Sequence, residues 1–113
     1  MILVLGGTYD SRMLTEALLE QGRAVLYSSV TAYNTASLPE SPLLMLNIGA
    51  LEKGDMENLM GEKGVTLCVD ATHPYAKEVS INAIAVCQSV GIPYVRLERP
   101  RLKDDGKSIL GFP

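Results

Sequence analysis

The sequence is poor in several residue types on which common functional sites depend. Its 113 residues include no tryptophan, one phenylalanine, one histidine and two cysteines. A single histidine excludes a metal site built from several histidines. The cysteines, Cys68 and Cys87, lie inside a predicted strand and a predicted helix without metal-ligand spacing, which favours buried, reduced thiols over a disulfide. Cysteine usage therefore predicts a cytoplasmic protein.

Clustered positive charge and long apolar segments are also absent. The formal net charge is −3 at pH 7, with no patch of Lys and Arg, so we expect neither nucleic acid nor an anionic membrane as a partner. No segment reaches membrane-spanning length, and the apolar start lacks the basic region of a signal peptide. The 47% hydrophobic content is typical of one soluble globular domain.

Short apolar runs alternate with segments of helical periodicity, and a glycine precedes three of the runs. This alternation predicts parallel strands joined by right-handed crossovers. The predicted strands are 1–5, 24–30, 43–48, a run that starts at 65 and ends near 70, and 92–97, and the predicted helices are 10–21, 52–63 and 76–90. We expect an α/β fold, a Rossmann-like three-layer α/β/α arrangement with a five-stranded parallel sheet of order 3-2-1-4-5.

Helical spacing also predicts which side chains face the core. In the first helix the side chains expected on one side are Met13, Ala17, Leu18 and Gln21, with Leu14 nearby. In the third helix they are Ala76, Val79, Ala83, Val86 and Val90. Pro74 is suited to the first turn of this third helix.

The turn Gly6-Gly7-Thr8 connects the first strand to the first helix. Such a turn directs backbone N–H groups and the positive end of the helix dipole towards one point, which suits a phosphate group. Ser11 stands where the third glycine of a dinucleotide fingerprint would be, so a tight turn without a ligand is the alternative. A Gly7→Val substitution is expected to block phosphate approach without unfolding the domain.

The second strand ends in hydroxyl side chains rather than in an acidic residue. Ser28, Ser29 and Thr31 can donate hydrogen bonds to a 2′-phosphate, which favours NADPH, with NADH as the alternative. However, no Lys or Arg lies between Arg23 and Lys53 to neutralise a phosphate. A solvated strand end is the other interpretation.

The fourth strand ends in the polar cluster Asp70-Ala71-Thr72-His73, with Tyr75 close behind. In the expected sheet order this cluster and the glycine turn flank one crevice at the carboxyl ends of the strands. We expect His73 to contact a cofactor or substrate rather than to transfer a proton, although a lone histidine is often structural. Asp70 could instead cap a turn or the following helix.

Three motifs together resemble the precorrin-6A and cobalt-precorrin-6A reductase family of cobalamin biosynthesis. They are the glycine turn with Asp10 and Arg12, the segment 70–76, and the segment 96–100, supported by Thr31, Tyr33 and Gly49. The resemblance implies an NAD(P)H-dependent reductase that delivers hydride to a ring double bond of an anionic macrocycle bearing many carboxylates. Its alternatives are a non-catalytic NAD(P)-sensing module and an interaction domain.

The resemblance also implies roles for individual residues. Those expected to bind the cofactor are Gly6, Gly7, Thr8, Ser11, Arg12, Ser28, Ser29, Thr31, Asp70, Ala71 and Thr72. Those expected to bind the substrate are His73, Tyr75 and Arg99. Family members have two α/β halves, so residues 1–100 are expected to form the cofactor domain. Residues 101–113 would then be an exit segment or the start of a missing second domain, and the half alone would be inactive or nearly so.

Overall fold

The computed structural model describes residues 1–32 and 35–98, and within them five strands and one short 3-10 turn accompany three α-helices. The strands are β1 (Ile2–Leu5), β2 (Val25–Ser29), β3 (Leu44–Ile48), β4 (Leu67–Asp70) and β5 (Tyr94–Arg96). The helices are α1 (Tyr9–Glu20), α2 (Lys53–Glu62) and α3 (Lys77–Val90), and the 3-10 turn spans Thr35–Ser37. The predicted succession of elements is confirmed.

All strands form one parallel sheet in the order β3-β2-β1-β4-β5, as predicted. Strand β1 lies in the middle, with Leu3 opposite both Leu26 and Cys68. All four residues of β1 are buried, which explains its uninterrupted apolar sequence. The chain leaves β1 towards β2 on one side and reaches β4 on the other, so the carboxyl ends of β1 and β4 form the point where the strand order reverses.

Each face of the sheet has its own apolar core. On one face Leu3 and Leu5 pack with buried residues of α2 and α3, among them Met56 and Val86. On the other face Val4 and Tyr27 pack with partly buried leucines of α1. The chain therefore forms the expected three layers, with two helices on one side of the sheet and one helix on the other.

The predicted buried side of α1 is confirmed at Leu18 and the nearby Leu14, which are partly buried and pack against the core, and wrong at Met13, Ala17 and Gln21. Met13 is 37% exposed and Ala17 and Gln21 are also exposed, whereas Ser11 and Thr15 are fully buried. The hydroxyl of Thr15 donates to the carbonyl of Ser11 at 2.8 Å, so burial leaves neither its proton nor that carbonyl unpaired. A stripe that includes hydroxyl side chains thus faces the sheet.

The prediction for α3 is confirmed at Ala83 and Val86, which are buried, and wrong at Val90, which is 38% exposed at the end of the helix. Pro74 is not in the first turn of α3, because the helix begins at Lys77. Instead the N–H of Ala76 donates to the carbonyl of His73 at 2.9 Å. This bond closes a β-turn with Pro74 at its second position, where proline is favoured.

Several sequence expectations concern residues outside the described ranges. Tyr33, Arg99 and the exit segment 101–113 belong to this group. In residues 1–32 and 35–98, no helix is both long and apolar enough to span a membrane.

Candidate functional site

In the described part of the chain, two neighbouring clefts lie at the carboxyl ends of β1 and β4. The inner cleft, about 250 Å³, is lined by Leu5, Gly6, Gly7, Thr8, Ser28, Ser29, Val30, Thr31, Gly49, Leu51, Thr72, His73, Ala76 and Val79. The outer cleft, about 570 Å³, is lined by Thr8, Tyr9, Asp10, Ala71, Thr72, His73, Pro74, Tyr75, Arg96, Leu97 and Glu98. The two clefts share Thr8, Thr72 and His73. They therefore meet where β1 and β4 end, at the reversal point of the sheet.

The glycine turn uses its backbone N–H groups within the protein. The N–H of Gly6 donates to the carbonyl of Ser28 at 2.7 Å, and that of Gly7 donates to the hydroxyl of Tyr27 at 2.9 Å. The N–H of Thr8 donates to a side chain of α1 at 3.0 Å. These bonds fix the conformation of the turn and direct its N–H groups into the protein, so phosphate binding at the turn stays a prediction.

The two glycines are required for different reasons. A Cβ on Gly6 would lie 2.4 Å from Cζ of Tyr27, so the ring occupies the space that a side chain would need. Gly7 has φ +100, a backbone conformation that strains other residues, and a Cβ there would meet only the hydroxyl of Ser29, at 3.5 Å. A Gly7→Val variant would consequently be strained, and it is a poorer probe of phosphate binding than the sequence indicates.

Helix α1 begins with a reciprocal cap that also reaches β4. The Thr8 hydroxyl accepts from the N–H of Ser11, and the Ser11 hydroxyl accepts from the N–H of Thr8. The Thr8 hydroxyl donates to the carbonyl of Ala71 at 2.7 Å, which ties the glycine turn to the segment after β4. Ser11 itself is fully buried and lines neither cleft.

The serines at the end of β2 form part of the inner cleft. Ser28 is 5% and Ser29 is 6% exposed, and the Ser28 hydroxyl accepts from the side-chain amide of Asn47 at 3.2 Å. Thr31 follows them, exposed, in the same cleft. The three hydroxyl-bearing residues predicted at this strand end, Ser28, Ser29 and Thr31, therefore lie together beside the glycine turn.

Arg12, in the first turns of α1, reaches the chain that follows β2. Its guanidinium donates to the hydroxyl of Ser37 at 2.9 Å and lies 5.4 Å from the centre of the Tyr9 ring. Its Nε is buried and has no hydrogen-bond partner among the described residues. Arg12 lines neither cleft, but it supplies a cation to a region where the neighbouring sequence has none.

Asp70 is fully buried and holds a network rather than facing a cleft. One carboxylate oxygen accepts from Arg96 at 3.0 Å and from the N–H and hydroxyl of Thr72 at 3.1 and 2.7 Å. The other accepts from the hydroxyls of Ser80 at 2.5 Å and Tyr94 at 2.6 Å. The geometry supports the structural alternative for Asp70, because the carboxylate joins β4, α3 and β5 and closes a turn at Thr72.

The hydrogen-bond network around Asp70 shifts the pKa values of Asp70 and Tyr94. Burial alone would raise the pKa of the Asp70 carboxyl, but hydrogen bonds from Ser80, Tyr94 and Thr72 outweigh it and hold that pKa below its usual value. Burial, and then the hydrogen bond to the Asp70 carboxylate, raise the pKa of the Tyr94 hydroxyl. Asp70 is therefore an anion and Tyr94 a neutral donor at neutral pH.

Arg96 fixes the segment after β4 and is occupied in doing so. Besides Asp70, its guanidinium donates to the carbonyl of Thr72 at 3.0 Å and to the Thr72 hydroxyl at 3.1 Å. Its Nε donates to the carboxylate of Glu98 at 3.3 Å. With two carboxylate partners, Arg96 carries little unpaired charge for a substrate carboxylate.

His73 and Tyr75 form an exposed aromatic pair at the clefts. The ring centres are 4.6 Å apart with planes inclined at 36°, and Tyr75 is 87% exposed. The N–H of Tyr75 donates to Nδ1 of His73 at 3.3 Å, so in the neutral ring the proton resides on Nε2.

Among residues 1–32 and 35–98, no three side chains of the His, Cys, Asp and Glu types are grouped as metal ligands.

A family model described as precorrin-6x reductase CbiJ/CobK matches residues 1–112. The chain belongs to the precorrin-6x reductase family. It is 41% identical over 99 residues to a cobalt-precorrin-6A reductase of Priestia megaterium, covering 88% of this chain and 38% of that protein. It is 33% identical over 109 residues to a precorrin-6A reductase of Mycobacterium tuberculosis, covering 96% of this chain and 43% of that protein.

The fold agrees with this membership of the precorrin-6x reductase family. The solved structure of a CobK precorrin-6A reductase superposes with a TM-score of 0.75 at 31% identity, covering 88% of this chain and 39% of that one. The chain thus spans well under half the length of these precorrin-6x reductase relatives. The family assignment and the five-stranded sheet order, both predicted above, are confirmed.

Proposed function

We propose that the chain is the N-terminal, NAD(P)H-binding part of a precorrin-6A or cobalt-precorrin-6A reductase of cobalamin biosynthesis. The observation that carries this proposal is the meeting of the two clefts at Thr8, Thr72 and His73, at the reversal point of the sheet. Open α/β sheets bind ligands at that point. One cleft can take the nucleotide and the other the reacting groups, which a hydride transfer must hold in contact.

The side chains of the inner cleft offer a dinucleotide more hydrogen-bonding groups than the backbone of the glycine turn does. Ser28, Ser29 and Thr31 offer hydroxyls to the adenosine ribose, and Gly7 leaves open space above the turn for the pyrophosphate. The segment from Thr72 to Tyr75 faces the outer cleft, which would receive the nicotinamide and the macrocycle. When bound, NAD(P)H supplies the hydride, and the protein positions it.

In this proposal the chain's own residues orient the reacting groups, and the proton that completes the reduction of the double bond after hydride transfer would come from solvent or from the remaining part of the enzyme. Four hydrogen bonds to Asp70 and Arg96 hold Thr72, so its position does not depend on a ligand. His73 presents Nε2–H as a donor to a carboxylate or carbonyl of the substrate, and Tyr75 offers an apolar ring face. Side chains that are already fixed before a ligand binds, such as Thr72, reduce the entropy lost on binding.

NADPH is the cofactor that these side chains favour over NADH. No acidic residue lies between the end of β2 and Ser37 to accept bonds from a free 2′-hydroxyl, and the Arg12 guanidinium donates to the hydroxyl of Ser37. The Arg12 guanidinium has no acidic partner among the described contacts, so its positive charge is available to the chain that follows β2. We assign Arg12 to neutralising the 2′-phosphate.

The outer cleft lies at the surface, and its Tyr75 is 87% exposed. Hydride transfer needs water excluded from the reacting atoms, which requires a second protein surface. The chain covers 38% to 44% of the curated relatives named cobalt-precorrin-6A reductase that it matches at over 30% identity. We therefore propose that the remaining part of the family's length completes the substrate site, that this chain alone does not turn over, and that the enzyme works in the cytoplasm.

The test of cofactor binding is a calorimetric titration of the chain with NADPH and NADH. We expect saturable binding of both, with NADPH bound more tightly. Arg12→Ala should reduce the affinity for NADPH about tenfold and leave that for NADH within about twofold, as loss of one charge-assisted phosphate contact implies. Arg23→Ala is the matched control, because Arg23 is exposed and lies beyond the end of α1. It should change the affinity for neither nucleotide.

Each other outcome of this titration has a defined meaning. Equal losses for both nucleotides in Arg12→Ala would contradict the phosphate assignment but not the cleft. Failure of the chain to bind either nucleotide would contradict the cofactor proposal for this chain and favour an interaction domain. Binding without reductase activity, even after the remaining part of a relative is supplied as a second polypeptide, would favour an NAD(P)-sensing module.

A further inference from the structure

Tyr27 is a buried tyrosine to which the proposed function assigns no role. It lies in β2, opposite Val4, and is 1% exposed. Its ring fills the space beside Gly6, where a Cβ would come within 2.4 Å of Cζ. A tyrosine in such a position must find partners for its hydroxyl, because an unpaired buried hydroxyl is costly.

The partners are the glycine turn and the first turn of α1. The Tyr27 hydroxyl accepts from the N–H of Gly7 at 2.9 Å and lies 3.0 Å from the hydroxyl of Ser11. The Ser11 hydroxyl donates to the carbonyl of Thr8 at 2.6 Å and accepts from the N–H of Thr8. One proton arrangement satisfies every bond: Tyr27 donates to Ser11, and Ser11 donates to Thr8.

This network occupies the place that a dinucleotide fingerprint gives to its third glycine. That glycine permits close packing between the helix and the strand. Here Ser11 stands at the corresponding position and meets a tyrosine hydroxyl instead of a bare backbone. The contact continues through the Thr8 hydroxyl to the carbonyl of Ala71, so it joins β2, the glycine turn and the segment after β4.

We propose that Tyr27 is a positioning residue of the cofactor turn, which it fixes through the hydrogen bonds of its hydroxyl to Gly7 and Ser11. The proposal rests on the cofactor role of the inner cleft given above. Tyr27 does not line that cleft, so its effect on a ligand passes through the turn. Removing the hydroxyl leaves the ring beneath Gly6 and frees the N–H of Gly7 to change its direction.

The first arm of the test needs no cofactor. Amide hydrogen exchange of Gly7, followed by NMR, should be slowed in the unchanged chain and at least about tenfold faster in Tyr27→Phe, because the partly buried hydrogen bond from the Gly7 N–H to the Tyr27 hydroxyl is lost. Val86→Ala is the control, since it shortens a buried side chain in the core on the opposite face of the sheet. It should lower the melting temperature without accelerating Gly7 selectively.

The second arm measures the dissociation constant for NADPH. We expect it to rise about tenfold in Tyr27→Phe and in Ser11→Ala, with the double variant little worse than either single variant, because both act on one network. Val86→Ala should leave the constant unchanged. Ser11→Ala also tests the network should Tyr27→Phe fail to fold.

Unchanged Gly7 exchange in Tyr27→Phe would overturn the claim that its hydroxyl fixes the turn. Faster exchange with unchanged NADPH affinity would overturn the positioning role. An equal loss of affinity in Val86→Ala would assign the effect to general stability and also overturn that role. If the unchanged chain binds no nucleotide, the proposed function fails for this chain, and the exchange arm alone decides whether Tyr27 fixes the turn.

Discussion

Replacing Asp70 by Asn should destabilise the chain strongly while keeping the shape of the side chain. Asp70 is fully buried and accepts from four side chains: Thr72, Ser80, Tyr94 and Arg96. An asparagine retains one oxygen, towards Thr72 and Arg96. Its amide group would face the hydroxyls of Ser80 and Tyr94 as a donor opposite donors.

The size of the effect follows from the charge that is lost. Breaking a buried ion pair by removing one partner costs about 3–5 kcal/mol. The side chain of Arg96 is 23% exposed and keeps its contact with Glu98, so we place the loss at the lower end, about 3 kcal/mol. The measurement is urea unfolding at pH 7, followed by circular dichroism, with an unchanged slope against urea as evidence of an unchanged unfolded state.

The pH dependence of the same comparison tests the cause. The pKa of Asp70 is lower in the folded chain than its ordinary value of 3.8, so its ionisation contributes stability above that value. This contribution is lost as the pH falls from 3.8 through the folded pKa. The gap between the unchanged chain and Asp70→Asn should therefore be constant above about pH 5 and shrink in acid.

Glu98→Gln is the matched control for this prediction. Glu98 is a carboxylate on the same arginine, but its side chain is 61% exposed, so its loss should cost less than about 1 kcal/mol. A cost below about 1 kcal/mol for Asp70→Asn itself would refute the buried-network reasoning. A gap that widens as the pH falls would refute the assigned direction of the pKa.

Three further predictions concern the turn and the core. Gly6→Ala should cost about 3 kcal/mol in thermal unfolding, because its Cβ would overlap the buried ring of Tyr27, and no loss would contradict this packing. Cys68 and Cys87 should resist iodoacetamide at pH 8 until urea unfolds the chain, because burial raises the pKa of both thiols, and rapid labelling of the native chain would contradict their burial. Thr8→Val should cost about 1 kcal/mol by removing the side-chain cap of α1, while an unchanged urea midpoint would show that the cap is dispensable.

The fold was predictable because its signals are local. Each strand is a short apolar run, and Gly22, Gly64 and Gly91, which follow the helices, have φ values of +79, +63 and +80. Glycine adopts this left-handed backbone conformation without strain, and the conformation ends a helix. The alternation of the two kinds of element then allows few sheet orders.

The buried side of α1 was not predictable from hydrophobicity alone. Apolar spacing assigned Met13 to the core, but the sheet beneath α1 presents the hydroxyl of Tyr27. A hydroxyl requires a polar neighbour, and Ser11 supplies it at 3.0 Å. The signal in the sequence is a capping pair, Thr8 with Ser11, which fixes the rotation of the helix start.

The sequence predicted which segments line the candidate site, but it did not predict the contacts that each residue makes there. The serines at the end of β2 and the Thr72-His73 segment line the same cleft, as expected. Asp70 was expected at the cofactor, and its burial depends on Ser80 and Tyr94, which lie 10 and 24 residues further along the chain. Such partners follow from sheet register and helix rotation, which single-sequence patterns do not specify.

NMR chemical-shift mapping with NADPH tests whether the clefts at the ends of β1 and β4 bind a nicotinamide dinucleotide, as we propose. We expect saturable shifts concentrated at Gly7, Ser29, Thr72 and His73, with α2 unaffected. Saturation without shifts at these four residues, or no shifts at any NADPH concentration, would contradict it.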